Sequence, residues 1–360
     1  MSQPETGVLP SQTIREMLAD GRITVTHPVP EGQIQPASLD LRLGNVAWRV
    51  RASFLPGSGR LVADRLQDFA MHSIDLSDGA VLEKGCVYVV PLMEGLDLPD
   101  TISAVANAKS STGRLDLFTR LITDYGTEFD RIEAGYNGPL YAEISPRSFS
   151  VLARPGMRLN QIRFRQGQVV LSDDELRAMD AEQALVDVEA HIDSGLGFSV
   201  DLTPRGDGVV GYRAKPHTGL IDLDRIAFYD PAEFWEPVRT QNGSIILDPG
   251  AFYILVSREA VHVPPDCAAE MAPYLAMVGE FRVHYAGFFD PGFGHAAAGG
   301  LGSRGVLEVR CHEAPFALEH GQIVGRLVYE RMTEVPDILY GKDMGSNYQG
   351  QGLKLSKHFK

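Results

Sequence analysis

Leu140-Tyr-Ala-Glu-Ile144 and Gly305-Val-Leu-Glu-Val309 are two short apolar runs, each interrupted by one glutamate. Both are rich in residues that suit a pleated surface and are bordered by Gly and Pro, so both predict β-strands. Cys86-Val-Tyr-Val-Val90 and Phe252-Tyr-Ile-Leu-Val256 read the same way. A single shift of 165 residues carries Leu140–Ile144 onto Gly305–Val309 and Val87–Val90 onto Phe252–Leu255. The same shift places Gly85 on Gly250, Tyr88 on Tyr253, Pro99 on Pro264, Glu143 on Glu308 and Gly156 on Gly321. Self-similarity at a fixed shift indicates a repeated structural unit. It holds without a gap over about 80 residues.

Upstream the shift changes: Ser38-Leu-Asp-Leu41 resembles Ser199-Val-Asp-Leu202 at 161. Helical periodicity is scarce. Ser11–Ala19 predicts one short helix with Ser11 as N-cap. Residues 172–186 predict another, opened by a Ser172/Glu175 capping box. The expected fold is mostly β, two tandem domains with a few short helices. The expected division is 1–170 and 171–360, inside the polar stretch around 168–190.

The chain has 360 residues, 33 basic and 47 acidic, for a net charge of −14. That balance argues against coating nucleic acid or an anionic membrane, which require a basic face. It permits a small anionic ligand held by a local cluster of cations. Cys86, Cys267 and Cys311 show no CxxC spacing, so free buried thiols are expected rather than a disulfide framework or zinc ribbon. No basic-then-apolar leader and no run of about 18 apolar residues is visible, so a cytoplasmic protein is expected.

Lys109-Ser-Ser-Thr-Gly-Arg114 offers hydroxyls, a Gly and two cations, a composition that grips phosphate oxygens, although it is not a Walker A loop. Its partner in the second copy, Tyr274-Leu-Ala-Met-Val-Gly279, is apolar. Only the first copy is therefore expected to hold an anion there. Glu143 and Glu308 are carboxylates set among strand-core residues, a setting suited to acid/base work; solvent-facing positions on alternating strands are the plainer alternative. In Phe289-Asp-Pro-Gly-Phe293, Asp290 can accept a bond from a sugar hydroxyl or simply serve a β-turn. Ile132-Glu-Ala-Gly-Tyr136 is the looser first-copy counterpart. The tail from Tyr340 is Gly-rich and basic and reads as mobile. The ten histidines show neither HExxH nor the zinc deaminase signature.

Together these segments resemble the dCTP deaminase branch of the trimeric dUTPase-like superfamily, in a long, doubled form. Ile34-Gln-Pro-Ala-Ser-Leu-Asp-Leu-Arg-Leu-Gly44 resembles its first motif and Ala108-Lys-Ser-Ser-Thr-Gly-Arg-Leu115 its second. Asp290-Pro-Gly-Phe293 followed by Gly305-Val-Leu-Glu308 resembles the third. Arg154-Pro-Gly-Met-Arg-Leu-Asn-Gln-Ile162 and His320-Gly-Gln-Ile-Val-Gly-Arg-Leu327 are two versions of the fourth. Tyr348-Gln-Gly-Gln351 resembles the tail motif.

The resemblance implies dUTPase-like distorted, jelly-roll-like β-barrels and a homo-oligomer with sites between neighbouring domains. It implies deamination of dCTP to dUTP and ammonia without a catalytic metal, feeding dUMP and dTTP synthesis. Mg²⁺ is expected only with the triphosphate, and dTTP is a candidate inhibitor. By carry-over, Ser110, Ser111 and Arg114 hold phosphates, with Arg114 also near the reacting centre, and Lys109 binds substrate beside them. Asp290 meets the sugar. Tyr348, Gln351 and Lys354 close the site. Glu143 or Glu308 moves the protons. Two arrangements stay open: a composite site combining the first copy's phosphate grip with Glu308, which the split of motifs favours, or complete sites using Glu143. The rival functions are a dUTPase or bifunctional dCTP-to-dUMP enzyme, and a non-catalytic nucleotide-binding regulator.

Overall fold

The computed structural model describes residues 6–240, 242–273, 281–284, 287–341 and 350–360. The chain forms two compact units. Unit 1 is Met1–Val169 together with Gly219–Ile226; unit 2 is Val170–Thr218 and Ala227–Lys360. Strands dominate both, with a few short helices. The predicted division at 170 meets the first break, but residues 219–226 lie with unit 1.

The long strands repeat at the predicted shift. Ile102–Ala108 matches Cys267–Pro273, and Arg158–Gln166 matches Ile323–Arg331. In unit 1 one sheet places Arg158–Gln166 between Ile102–Ala108 and Ser38–Arg42. In unit 2 the equivalent sheet places Ile323–Arg331 between Cys267–Pro273 and Leu196–Ser199. The second sheet of unit 1 centres on Val87–Asp97, flanked by Asn137–Pro146 and Val46–Val50. That of unit 2 centres on Phe252–Val261, flanked by Ser303–Cys311 and Val209–Ala214. Both units thus use the same strand order.

The upstream shift is 157, not 161. Leu39 pairs with Ile162, and Leu196 pairs with Leu327, the residue 165 beyond Ile162. A buried glutamate confirms it. Glu94 accepts from the Arg42 backbone N–H at 2.7 Å, and Glu259, 165 further on, accepts from the Ser199 N–H at 2.8 Å. The likeness of Ser38-Leu-Asp-Leu to Ser199-Val-Asp-Leu is thus a slip of register. The structural partner of Asp40 is Gly197.

The helix Ser11–Ala19 is present, but the N-cap position is Pro10, not Ser11, and no side chain caps it. The second is Asp173–Glu182, with the Ser172/Glu175 capping box formed. It ends before 186 because Leu185 and Val186 turn inward to join the unit 2 core. The helix Val62–Phe69 was not legible in the sequence. It buries Val62 and Leu66 against Val50, Val89 and Ile122 of unit 1.

Of the tail expected to be mobile, 342–349 lie outside the described residues, but 355–359 are packed. Phe359 is 6% exposed and sits among Tyr229, Phe234 and Trp235. The Lys360 N–H donates to the Tyr229 carbonyl at 3.0 Å. Apolar Leu355 and Phe359 anchor an otherwise polar segment.

Candidate active site

In unit 1, Lys109 follows the strand Ile102–Ala108, and its N–H donates to the Leu159 carbonyl at 2.9 Å. The Thr112 and Gly113 N–H groups close onto the Lys109 carbonyl, so Ser110–Gly113 forms one helical turn. Asp116 then reverses the chain in the left-handed region, φ 53°. It is held there because Ser148 Oγ donates to its Oδ2 at 2.6 Å and the Arg147 N–H to its carbonyl. Ser111 and Arg114 are buried and Ser110 is half-buried.

Asp40 reaches the same place across the sheet. The Lys109 ammonium donates to Asp40 Oδ2, and Arg158 lies 3.5 Å from that oxygen. Asp40 is 1% exposed, and its Oδ1 has no hydrogen-bond partner. Beside it, Gln161 donates to Asn107 at 3.1 Å. Segments matching the first, second and fourth motifs therefore meet at one end of one sheet. Sequence reasoning named Lys109 but missed Asp40 and Arg158 as its neighbours.

The two strand glutamates are both buried, not solvent-facing: Glu143 is 1% and Glu308 4% exposed. Glu143 stands opposite Arg120, whose guanidinium donates to Oε1 at 2.6 Å. Arg120 also lies over the Phe129 ring, its Cζ 3.4 Å from the centroid. Glu143 Oε2 has no hydrogen-bond partner. In unit 2, Glu308 stands opposite His284 in the register.

Phe289-Asp-Pro-Gly-Phe293 and Ile132-Glu-Ala-Gly-Tyr136 occupy equivalent places. Phe289 pairs with Ala269 and Ile132 with Ala104, 165 apart. The Val263 N–H donates to Phe293, and the Leu98 N–H to Tyr136, both at 2.9 Å. Gly292 has φ 94°, and a Cβ there would sit 3.1 Å from those of Ala298 and Leu339, so glycine is required. Asp290 is buried. In unit 1 the equivalent turn walls a cleft of about 180 Å³ with Asp124, Glu128, Arg131 and Glu133. Burial pushes the Asp124 carboxyl up, partly offset by the Val62 N–H at 2.7 Å. Three carboxylates against one guanidinium make this cleft unsuited to phosphate.

Gln351 lies against the start of the Glu308 strand. Its side-chain amide donates to the Arg304 carbonyl, and the Arg304 N–H returns a bond to the Gln351 carbonyl, each at 3.1 Å. Lys354 is exposed. Tyr348, and the segment Tyr274–Gly279 contrasted with the Lys109 region, fall outside the described residues. The cysteines are free. Cys86 is half-buried, not buried as expected, and burial pushes the Cys267 thiol up to about 12, which suits packing rather than nucleophilic chemistry. Among the described residues no three His, Cys, Asp or Glu side chains group as a metal centre, and no helix is long and apolar enough to cross a membrane.

Residues 5–168 match the 2'-deoxycytidine 5'-triphosphate deaminase (DCD) N-terminal domain, and residues 172–359 match the C-terminal domain of the same family. The chain belongs to the 2'-deoxycytidine 5'-triphosphate deaminase family. Its units are dUTPase-like β folds. A "dCTP deaminase, dUMP-forming" from Dictyoglomus thermophilum is 31% identical over 165 residues, covering 44% of this chain and 79% of its own length. Another so named, from Beutenbergia cavernae, is 31% identical over 181 residues, covering 46% and 88%. Each spans less than half of this chain but most of itself, as expected of a doubled member. The crystal structure of 2'-deoxycytidine 5'-triphosphate deaminase from Agrobacterium tumefaciens is 57% identical, with TM-score 0.88, covering 91% of this chain and 99% of that one.

Proposed function

We propose that this enzyme hydrolyses the C4–N4 bond of dCTP, yielding dUTP and ammonia, with the Mg²⁺ complex of dCTP as substrate. Unit 1 contributes the triphosphate grip through Lys109, Ser110, Ser111 and Arg114. Unit 2 contributes Glu308 as the general acid/base, Asp290 toward the sugar, and Gln351, Lys354 and Tyr348 toward closure. The observation that carries the choice of carboxylate is the Arg120 ion pair on Glu143. Glu308 stands opposite His284.

In this reading Glu308 accepts a proton from water as the oxygen attacks C4, and passes it to N3. The tetrahedral adduct then breaks its C4–N4 bond. The C4 hydroxyl gives its proton to the same carboxylate, which hands it to the departing amine; ammonia leaves, N3 keeps its proton, and the C4 oxygen becomes the carbonyl of uracil. A single buried carboxyl can serve both transfers.

A second reading is favoured by the names of the relatives, several of which are dUMP-forming. In it the same chain also cleaves dUTP to dUMP and pyrophosphate. One incubation with dCTP and Mg²⁺, assayed for ammonia, dUTP, dUMP and pyrophosphate, separates the two. Ammonia with dUTP supports the deaminase alone. Ammonia with pyrophosphate supports the bifunctional enzyme. Absence of ammonia from folded protein overturns both and leaves a dUTPase or a nucleotide-binding regulator.

A further inference from the structure

We infer that Asp40 is a positioning residue: its buried carboxylate anchors Lys109 so that the ammonium meets a polyphosphate in a fixed place. The inference deepens the reading of the Lys109 segment as a phosphate grip and rests on it.

Four observations lead here. Asp40 is the sole side-chain partner of Lys109 among the described residues. The carboxylate is 1% exposed while the lysine side chain is 22% exposed, so the cation lies between the buried anion and solvent. Arg158, with 35% of its side chain exposed, approaches the same oxygen at 3.5 Å and is itself fixed through the Gly32 carbonyl at 2.7 Å. The arrangement is confined to unit 1, since Asp40 is replaced by Gly197 in the equivalent strand. The carboxylate therefore accompanies the copy whose sequence carries the cations.

Two roles fit a lysine paired with a carboxylate. In a latch, the ligand pulls Lys109 away and Asp40 restrains binding. In an anchor, Lys109 stays on Asp40 and offers its remaining N–H groups to the ligand. The burial decides between them. Asp40 Oδ1 already lacks a hydrogen-bond partner. Pulling Lys109 away would leave this buried charge with only the longer Arg158 contact, and uncompensated buried charges are strongly destabilising. An ammonium carries three donors, and one bond to Asp40 leaves two for phosphate oxygens. The anchor also fixes a long, flexible side chain before the ligand arrives, so less freedom is lost on binding.

The test uses the full chain and inorganic tripolyphosphate, which cannot be deaminated, in titration calorimetry at 0.15 M salt. Asp40→Asn keeps the shape and removes the charge, and a melting curve checks its fold. Binding at least 5-fold weaker than wild type is expected. Lys109→Met should weaken binding further. The Asp40→Asn/Lys109→Met double variant should be no weaker than Lys109→Met alone, because Asp40 acts through Lys109. With dCTP, Asp40→Asn should raise KM more than it lowers kcat. Unchanged or tighter tripolyphosphate binding by Asp40→Asn overturns the anchor, the tighter result pointing to the latch. Additive losses in the double variant also overturn it. If wild-type protein does not bind tripolyphosphate, the phosphate-grip reading fails with it. If it binds tripolyphosphate but releases no ammonia from dCTP, only the deaminase reading fails.

Discussion

Units 1 and 2 share strand order, register and the glutamate in the middle of one strand, yet place different residues opposite that glutamate. In unit 1, Glu143 meets Arg120 at 2.6 Å, and Arg120 is stacked on Phe129. In unit 2 the opposing residue is His284. A carboxylate committed to a guanidinium holds strands together; it is poorly placed to exchange protons with a substrate. The phosphate-gripping composition shows the reverse distribution, with Lys109, Asp40 and Arg158 in unit 1 and Gly197 where Asp40 would be. On the proposed reading, each copy keeps one part of the chemistry and uses the other as structure.

The largest expected effect follows directly. Glu308→Gln should lower ammonia release from dCTP by about 10²–10⁴-fold, the usual reach of general acid/base catalysis. Glu143→Gln should leave turnover within about 10-fold, less than 1.4 kcal/mol in barrier. Ammonia assays on both variants, each checked by melting, measure the contrast. Equal losses would erase the distinction between the copies.

Much of this comparison was legible in the sequence, and the gaps have physical causes. The 165-residue shift predicted which strands correspond, because apolar patterning and Gly/Pro borders are local properties. The upstream register was misread because Ser-Val-Asp-Leu is a common pattern. Register there is set by Glu94 and Glu259, some 50 to 60 residues away along the chain. Arg120 as the partner of Glu143 was invisible for the same reason: the 22 residues between them include Arg131–Ile132, which pairs in the other sheet. Val62–Phe69 has only two buried apolar residues, too few to announce a helix. The candidate groups Lys109, Glu143, Glu308 and Asp290 were visible as residue types. What each one touches was not.

The units also complete themselves differently, and this can be broken separately. Unit 2 is finished by its own C-terminal end, with Phe359 packed among Tyr229, Phe234 and Trp235. Phe359→Ala should cost about 4 kcal/mol of stability, in the range for buried phenylalanines. It should also expose residues beyond 350 to limited proteolysis. Protection equal to wild type would show that the aromatic cluster does not hold the tail.

Arg120→Met tests the structural role of the unit 1 glutamate. It leaves Glu143 buried without its cation, and a loss of about 3 kcal/mol in urea unfolding is expected. The low end of the range applies because 24% of the arginine side chain meets solvent. Adding Glu143→Met should restore most of the loss, since the stranded charge is then gone. No recovery in the double variant would mean that Arg120 acts through Phe118 and Phe129 instead.

The smallest effect concerns the segment by which unit 1 is finished. Ile221–Asp222 runs parallel to Val151–Ala153, and Arg154 donates to Asp222 at 2.7 Å and to Asp224 at 2.7 Å. The Arg154 guanidinium holds the Asp222 carboxyl below its ordinary range, against a smaller opposing effect of burial. A group whose pKa is depressed by folding stabilises the fold above its unfolded pKa of about 4, and that contribution fades as pH falls below it. Asp222→Asn should therefore lower stability by less than about 1 kcal/mol at pH 7, as befits a pair with substantial solvent contact. The gap between wild type and variant in urea midpoint should narrow as pH falls from 5 toward 3. A gap that widens with acid would reverse the sign and remove Asp222 from the account of how the segment is held.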